Sequence, residues 1–145
     1  MDGGLSFDLH ALTSKLDRAA DRILRSERDI SYRRFLALYL VTQLDEPTQR
    51  ALAEALGVTE PSVSRMTGVL SDAGYLDTGS AESHGNRRRL SLTPDGEKLV
   101  TRCRELLEHR FTRLVESSGV PYDHYAEYTR MLLRTLDPQR GEGDR

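Results

Sequence analysis

Cysteine is nearly absent. Cys103 is the single one in 145 residues, so no internal disulfide framework holds the chain together. Lysine is almost as scarce: of the 21 lysines and arginines only Lys15 and Lys98 are lysines. No stretch approaches the roughly 18 apolar residues that a membrane span needs. The N-terminus also lacks the basic-then-apolar pattern of a secretory signal, so a cytoplasmic protein without a membrane partner is expected. Glycine and proline number 11 and 5, too few for a collagenous or low-complexity chain. The net charge of −2 argues against a surface that binds nucleic acid everywhere, yet it permits a local basic patch. Missing too are the P-loop, the G-x-S-x-G elbow, the H-E-x-x-H zinc helix and the G-x-G-x-x-G fingerprint. His10, His84, His109 and His124 stand singly, and no His-x-x-x-His or Cys-x-x-Cys pair occurs. An enzyme is not expected, nor a cofactor, nor a metal site.

What is present is helical periodicity. Leu5, Leu9, Leu12, Leu16, Ala19, Ala20, Ile23 and Leu24 recur at three- and four-residue spacing, which predicts an amphipathic helix over 5–25. A second helix follows over 31–44, its apolar residues nearly encircling it, as a buried helix requires. Thr48 reads as the N-cap of a short helix that Gly57 stops, and Thr59 as the cap of the next, with Pro61 allowed in its first turn. Tyr75–Thr78 and Arg88–Leu92 read as two short strands joined by a polar tip at 79–86. Thr93-Pro94 restarts a helix to about Ser117, and a last helix runs from Tyr122 to Leu136. The tail 139–145 reads as disordered. The expected fold is mainly α with a small β-hairpin, in the order α-α-α-α-β-β-α-α.

The informative segment is Thr48–Leu70. A small residue, Ala53, stands where two helices must cross closely. Gly57 stands four residues later, where a turn needs positive φ. Leu52, Leu56, Val58, Val63, Met66 and Leu70 can bury the second helix against the first. At about 100° per residue, Val63, Met66 and Leu70 share one side of that helix with Thr67 beside them. The other side carries Pro61, Ser64, Arg65 and Gly68, with Ser62 at its edge. A face of small residues lets a helix sit deep in the DNA major groove. Ser62 and the free amides after Thr59 suit a phosphate. Arg65 suits either a guanine edge or a phosphate.

The hairpin supplies a second contact. Arg87, Arg88 and Arg89 are the densest basic cluster in the chain and follow the tip Ser83-His84-Gly85-Asn86. An arginine there suits a narrow minor groove, where the negative potential is enhanced. A helix-turn-helix followed by such a hairpin is a winged helix.

These residues resemble the MarR family of bacterial transcriptional regulators. The stretch from Thr48 to Leu76, TQRALAEALGVTEPSVSRMTGVLSDAGYL, looks like that family's helix-turn-helix and its entry to the wing. Asn86 to Gly96, NRRRLSLTPDG, looks like the wing's return strand and the start of the fifth helix. The resemblance implies a sequence-specific DNA-binding regulator, commonly a repressor, that reads a pseudo-palindromic operator as a homodimer. It assigns Pro61, Ser62, Ser64 and Arg65 to the groove and Arg87 to the wing tip, with Arg88 as its rival. Many members carry an Asp two residues before the wing arginine; Gly85 stands there in this chain. The implied organisation is a helical dimerisation region from 1–30 and 94–138 around a DNA-binding lobe over 31–93. Half-sites about one helical turn apart, about 34 Å, would follow.

Members of the family often bind a small aromatic or phenolic ligand, for which Phe35, Tyr39 and Phe111 are the candidate residues, together with Tyr122, Tyr125 and Tyr128. Ordinary core packing explains the same aromatics. An oxidant-responsive regulator would use Cys103, which falls on an apolar stripe where cysteine behaves as a small hydrophobe. A zinc-responsive one would draw on Glu105, Glu108 and His109. A winged helix used only for protein–protein contact is the remaining alternative, and the arginine cluster and slender helix face argue against it.

Overall fold

The computed structural model describes residues 3–79 and 88–137. Arg87, the hairpin tip beyond Gly79 and the tail 139–145 lie outside them. Six helices and two strands follow one another: α1 (Leu5–Arg28), α2 (Tyr32–Gln43), α3 (Gln49–Leu56), α4 (Glu60–Asp72), β1 (Leu76–Asp77), β2 (Ser91–Leu92), α5 (Pro94–Ser118) and α6 (Tyr122–Leu136). The order is the one the periodicity predicts. The chain divides into two compact units, Met1–Glu105 and Leu106–Arg145, and α5 runs from one into the other.

Hydroxyl caps set the helix starts in the first unit. Ser31, Thr48 and Thr59 each accept the backbone N–H three residues on, from Arg34, Ala51 and Ser62. Each satisfies a donor that the helix itself leaves without a partner. Gly57 ends α3 at φ 68°, and the Val58 N–H reaches back to the Ala53 carbonyl at 3.1 Å. That left-handed closure is the turn of the helix-turn-helix. The core gathers Leu24 from α1, Leu38 from α2, Leu52 from α3, Val63 and Leu70 from α4, and Leu90 from the wing, all at most 2% exposed.

The strands are shorter than the alternation predicts. Among the described residues only Leu76–Leu92 and Asp77–Ser91 pair between the two strands, antiparallel. Upstream the return segment changes partner. Arg89 bridges to Thr48, and the Leu90 N–H donates to the Pro47 carbonyl at 2.9 Å. The wing's base is therefore stitched to the turn between α2 and α3. In that turn Asp45 and Glu46 both take left-handed backbone, each at φ 54°. The Glu46 carbonyl accepts Nη1 of Arg89 at 3.3 Å.

The α1–α2 corner has its own lock. The Asp21 carboxylate accepts the Tyr32 N–H at 3.0 Å and Nε of Arg25 at 2.8 Å. Those two bonds, the backbone one foremost, hold its pKa below the usual value. Cys103 on α5 is fully buried, and burial pushes its thiol pKa up against the opposing pull of Arg28.

In the second unit α6 has no buried residue among those described. Tyr128, Met131, Leu132, Leu133 and Leu136 are exposed, Leu136 at 79%. At the far N-terminal end of the first unit, Leu5 and Phe7 of α1 are exposed at 72% and 73%. Among the described residues no helix is long and apolar enough to cross a membrane.

Candidate nucleic-acid interface

The helical wheel of α4 is found in the fold with one difference: Met66, expected on the inward side, is only half-buried. Val63, Thr67 and Leu70 are buried, while Pro61, Ser64, Arg65 and Gly68 are exposed on the other side. No side chain bulkier than Arg65 interrupts that outer strip, so a groove wall can approach the helix backbone closely.

The start of α4 is a small network. The Thr59 hydroxyl accepts the Ser62 N–H at 3.3 Å and donates to Ser62 Oγ at 3.0 Å. Nη2 of Arg65 lies 3.5 Å from the same Oγ. Ser62 is half-buried and stands between the cap and the arginine. An anion at this helix start would meet backbone N–H groups and the positive end of the helix dipole.

Of the three wing arginines, Arg88 is exposed, and Arg89 is exposed but turned to the Glu46 carbonyl. Arg89 thus serves the wing's attachment, a role the sequence cluster does not reveal.

Two of the candidate ligand residues, Phe35 and Tyr39, belong to the first unit and Phe111 to the second. Phe35 is buried and stacks with half-buried Tyr39 at a centroid distance of 6.1 Å. The Arg104 guanidinium carbon stands 5.3 Å over the Tyr39 ring. This cation–π contact occupies one ring face. Phe111 is half-buried in the second unit. A groove of about 600 Å³ opens nearby in the first unit. Val41, Leu92 and Val100 line it together with Asp45, Glu97 and Arg104, but neither Phe35 nor Tyr39 does. Among the described residues no three His, Cys, Asp or Glu side chains group closely enough to hold a metal ion.

Sequence reasoning missed one connection between the two helices of the motif. Gln49, the first residue of α3, donates through Nε2 to Thr67 Oγ1 at 3.3 Å. Its only signal is a hydroxyl residue on an otherwise apolar helix side.

Residues 28–89 match the model of the MarR family. Over that stretch the chain is similar to the MarR family. The match takes in the end of α1, all of α2 to α4 and the wing up to Arg89. Solved structures extend a likeness of fold along nearly the whole chain. Wild-type MarR of E. coli in its apo form superposes with a TM-score of 0.77 at 21% identity, covering 92% of this chain and 97% of its own. MepR, a transcription regulator of the Staphylococcus aureus multidrug efflux pump MepA, gives 0.68 at 24% identity, with coverage of 94% and 98%. The Mycobacterium tuberculosis MarR family protein Rv2887, in complex with salicylic acid, gives 0.72 at 22% identity, with coverage of 92% and 97%. At these identities the likeness is one of fold. No individually curated protein matches the chain by sequence.

Proposed function

We propose that this chain is a cytoplasmic, sequence-specific DNA-binding transcription regulator. In this proposal it acts as a homodimer on a pseudo-palindromic operator, represses transcription, and is released by a small aromatic or phenolic ligand. One observation carries the DNA-binding part: α4 is capped, buried along Val63, Thr67 and Leu70, and offers Pro61, Ser64, Arg65 and Gly68 outward. The relatives give support, since MepR has been solved with DNA and a cysteine-to-serine variant of MarR with operator DNA. Homodimer formation is supported by apolar side chains left exposed on α1 and, separately, on α6. A monomer seldom leaves such surface bare. The helices of 1–30 and 94–138 would supply the dimer contact and 31–93 the DNA-binding lobe. Release by a ligand is supported by salicylic acid bound to Rv2887, with Phe35, Tyr39 and Phe111 as the residues assigned to such a ligand here.

The test begins with selection of duplexes from a random-sequence pool. The expected result is a two-fold-symmetric consensus bound by a particle of twice the chain mass in sedimentation, and released by added salicylate. A particle of single-chain mass that enriches no sequence would overturn the proposal. A consensus that salicylate leaves bound would remove only its ligand part.

A further inference from the structure

Thr67 is the one buried polar side chain among the described residues. It sits on the inner side of α4, between Val63 and Leu70. An apolar residue there would avoid the cost of desolvating a hydroxyl. The hydroxyl is instead satisfied in both of its capacities. It donates to the Ser64 carbonyl at 3.2 Å and accepts Nε2 of Gln49 at 3.3 Å. Gln49 is half-buried at the start of α3, directly after the Thr48 cap.

Apolar contacts alone hold two helices together without direction, and they tolerate a small roll of one helix about its axis. A hydrogen bond does not, because it weakens steeply as its angle departs from linear. The bond from Gln49 ends on Thr67, one position from Gly68 and two from Arg65, and Thr67 in turn holds the backbone of Ser64. It therefore acts on the segment of α4 that carries the outward strip.

We infer that Gln49 is a positioning residue for sequence discrimination. Through Thr67 it fixes the roll of α4 about its axis, and so the register in which Ser64 and Arg65 meet base edges, without reading a base itself. The inference rests on the DNA-binding proposal above, and it adds a residue that the outward face of α4 does not include.

The experiment compares two duplexes: one enriched by the wild-type chain from a random pool, and one with the same bases scrambled. Gln49→Met keeps the length of the side chain and removes its donor. It is expected to lower the ratio of affinities by about tenfold, the scale of one base contact, and to leave the scrambled duplex within about twofold of wild type. Thr67→Val is expected to do the same, Thr67→Ser to retain discrimination, and the double variant to be no worse than either single one, as coupled groups behave. If Thr67→Val does not fold, Gln49→Met decides alone. Equal weakening on both duplexes would overturn the inference, because a phosphate contact acts uniformly across sequences. So would an unchanged ratio in folded Gln49→Met, or additive losses in the double variant. A wild-type chain that enriches no sequence defeats the DNA-binding proposal itself and this inference with it, a result distinct from the others.

Discussion

Gly96 lies so close against Tyr75 that a Cβ there would stand 2.1 Å from the Tyr75 carbonyl oxygen. The same carbonyl accepts the Thr93 N–H at 3.1 Å, and the Thr93 hydroxyl donates to the Gly74 carbonyl at 2.6 Å. Thr93 also caps α5, accepting the Gly96 N–H at 3.1 Å. The run Thr93-Pro94-Asp95-Gly96 is thus a clamp between the foot of β1 and the first turn of α5. Gly96→Ala forces backbone apart and is expected to destabilise the fold by about 1–3 kcal/mol. Urea unfolding of the variant beside wild type checks it; an unshifted midpoint would show that the contact yields freely.

Arginine substitutions separate base reading from charge neutralisation. If Arg65 reads a base edge, Arg65→Ala weakens binding to the selected duplex by about 1–3 kcal/mol and relaxes preference at one position. An affinity equal to wild type would remove Arg65 from the interface.

For the wing, Arg87→Ala and Arg88→Ala are compared through the salt dependence of binding. Loss of one phosphate contact lowers the slope of log affinity against log salt by about 0.9. The arginine that lies against the duplex is the one whose loss flattens the slope. Arg89→Ala is expected to act differently, because its guanidinium holds the Glu46 carbonyl at 3.3 Å. It should loosen the wing's attachment.

Asp21 makes the α1–α2 corner sensitive to acid. The Tyr32 N–H first, and then Arg25, stabilise its charged form, so its pKa in the folded chain lies below the ordinary 3.8. The unfolded chain therefore takes up the proton at higher pH. The stability that Asp21 supplies is complete above the ordinary value and is lost as pH falls through the lower folded one. Asp21→Ala should be less stable than wild type at about pH 7, and the gap should narrow towards about pH 3. A gap independent of pH would mean that the carboxylate's charge contributes nothing there.

Cys103 is sealed, and burial raises its thiol pKa. A thiol that is both protonated and inaccessible is a poor nucleophile. Reaction with a disulfide reagent should be slow in the native protein, quickening to the free-thiol rate in denaturant. Peroxide should leave duplex affinity as it was. Fast labelling of the native chain would restore the oxidant-responsive reading.

Most helix boundaries were legible because their causes are local. Thr48, Thr59 and Gly57 act within a few residues of themselves, and the apolar spacing of Val63, Met66 and Leu70 is a property of one helix. The outward strip of α4 followed from that spacing. What stayed hidden depends on partners distant in the chain. Alternation marks Arg88–Leu92 as extended, but it does not say that Arg89 and Leu90 pair with Thr48 and Pro47 while only Ser91 and Leu92 pair with β1. Thr67 beside an apolar stripe is ambiguous until Gln49 is found across from it. Three consecutive arginines look equivalent until one is seen bonded to a carbonyl 43 residues away.

The turn at Asp45 and Glu46 ties endurance to heat to the carriage of the wing. Left-handed backbone costs a residue with a Cβ roughly 1–2 kcal/mol, and aspartate bears it more easily than glutamate does. Relaxing Glu46 to an ordinary conformation would swing its carbonyl away from Arg89, so the chain sustains an uncomfortable bend to keep a handle for the return strand. A glycine at 46 would keep that handle and ease the bend. Thermal tolerance can thus be sought in this fold far from every side chain proposed to meet the duplex.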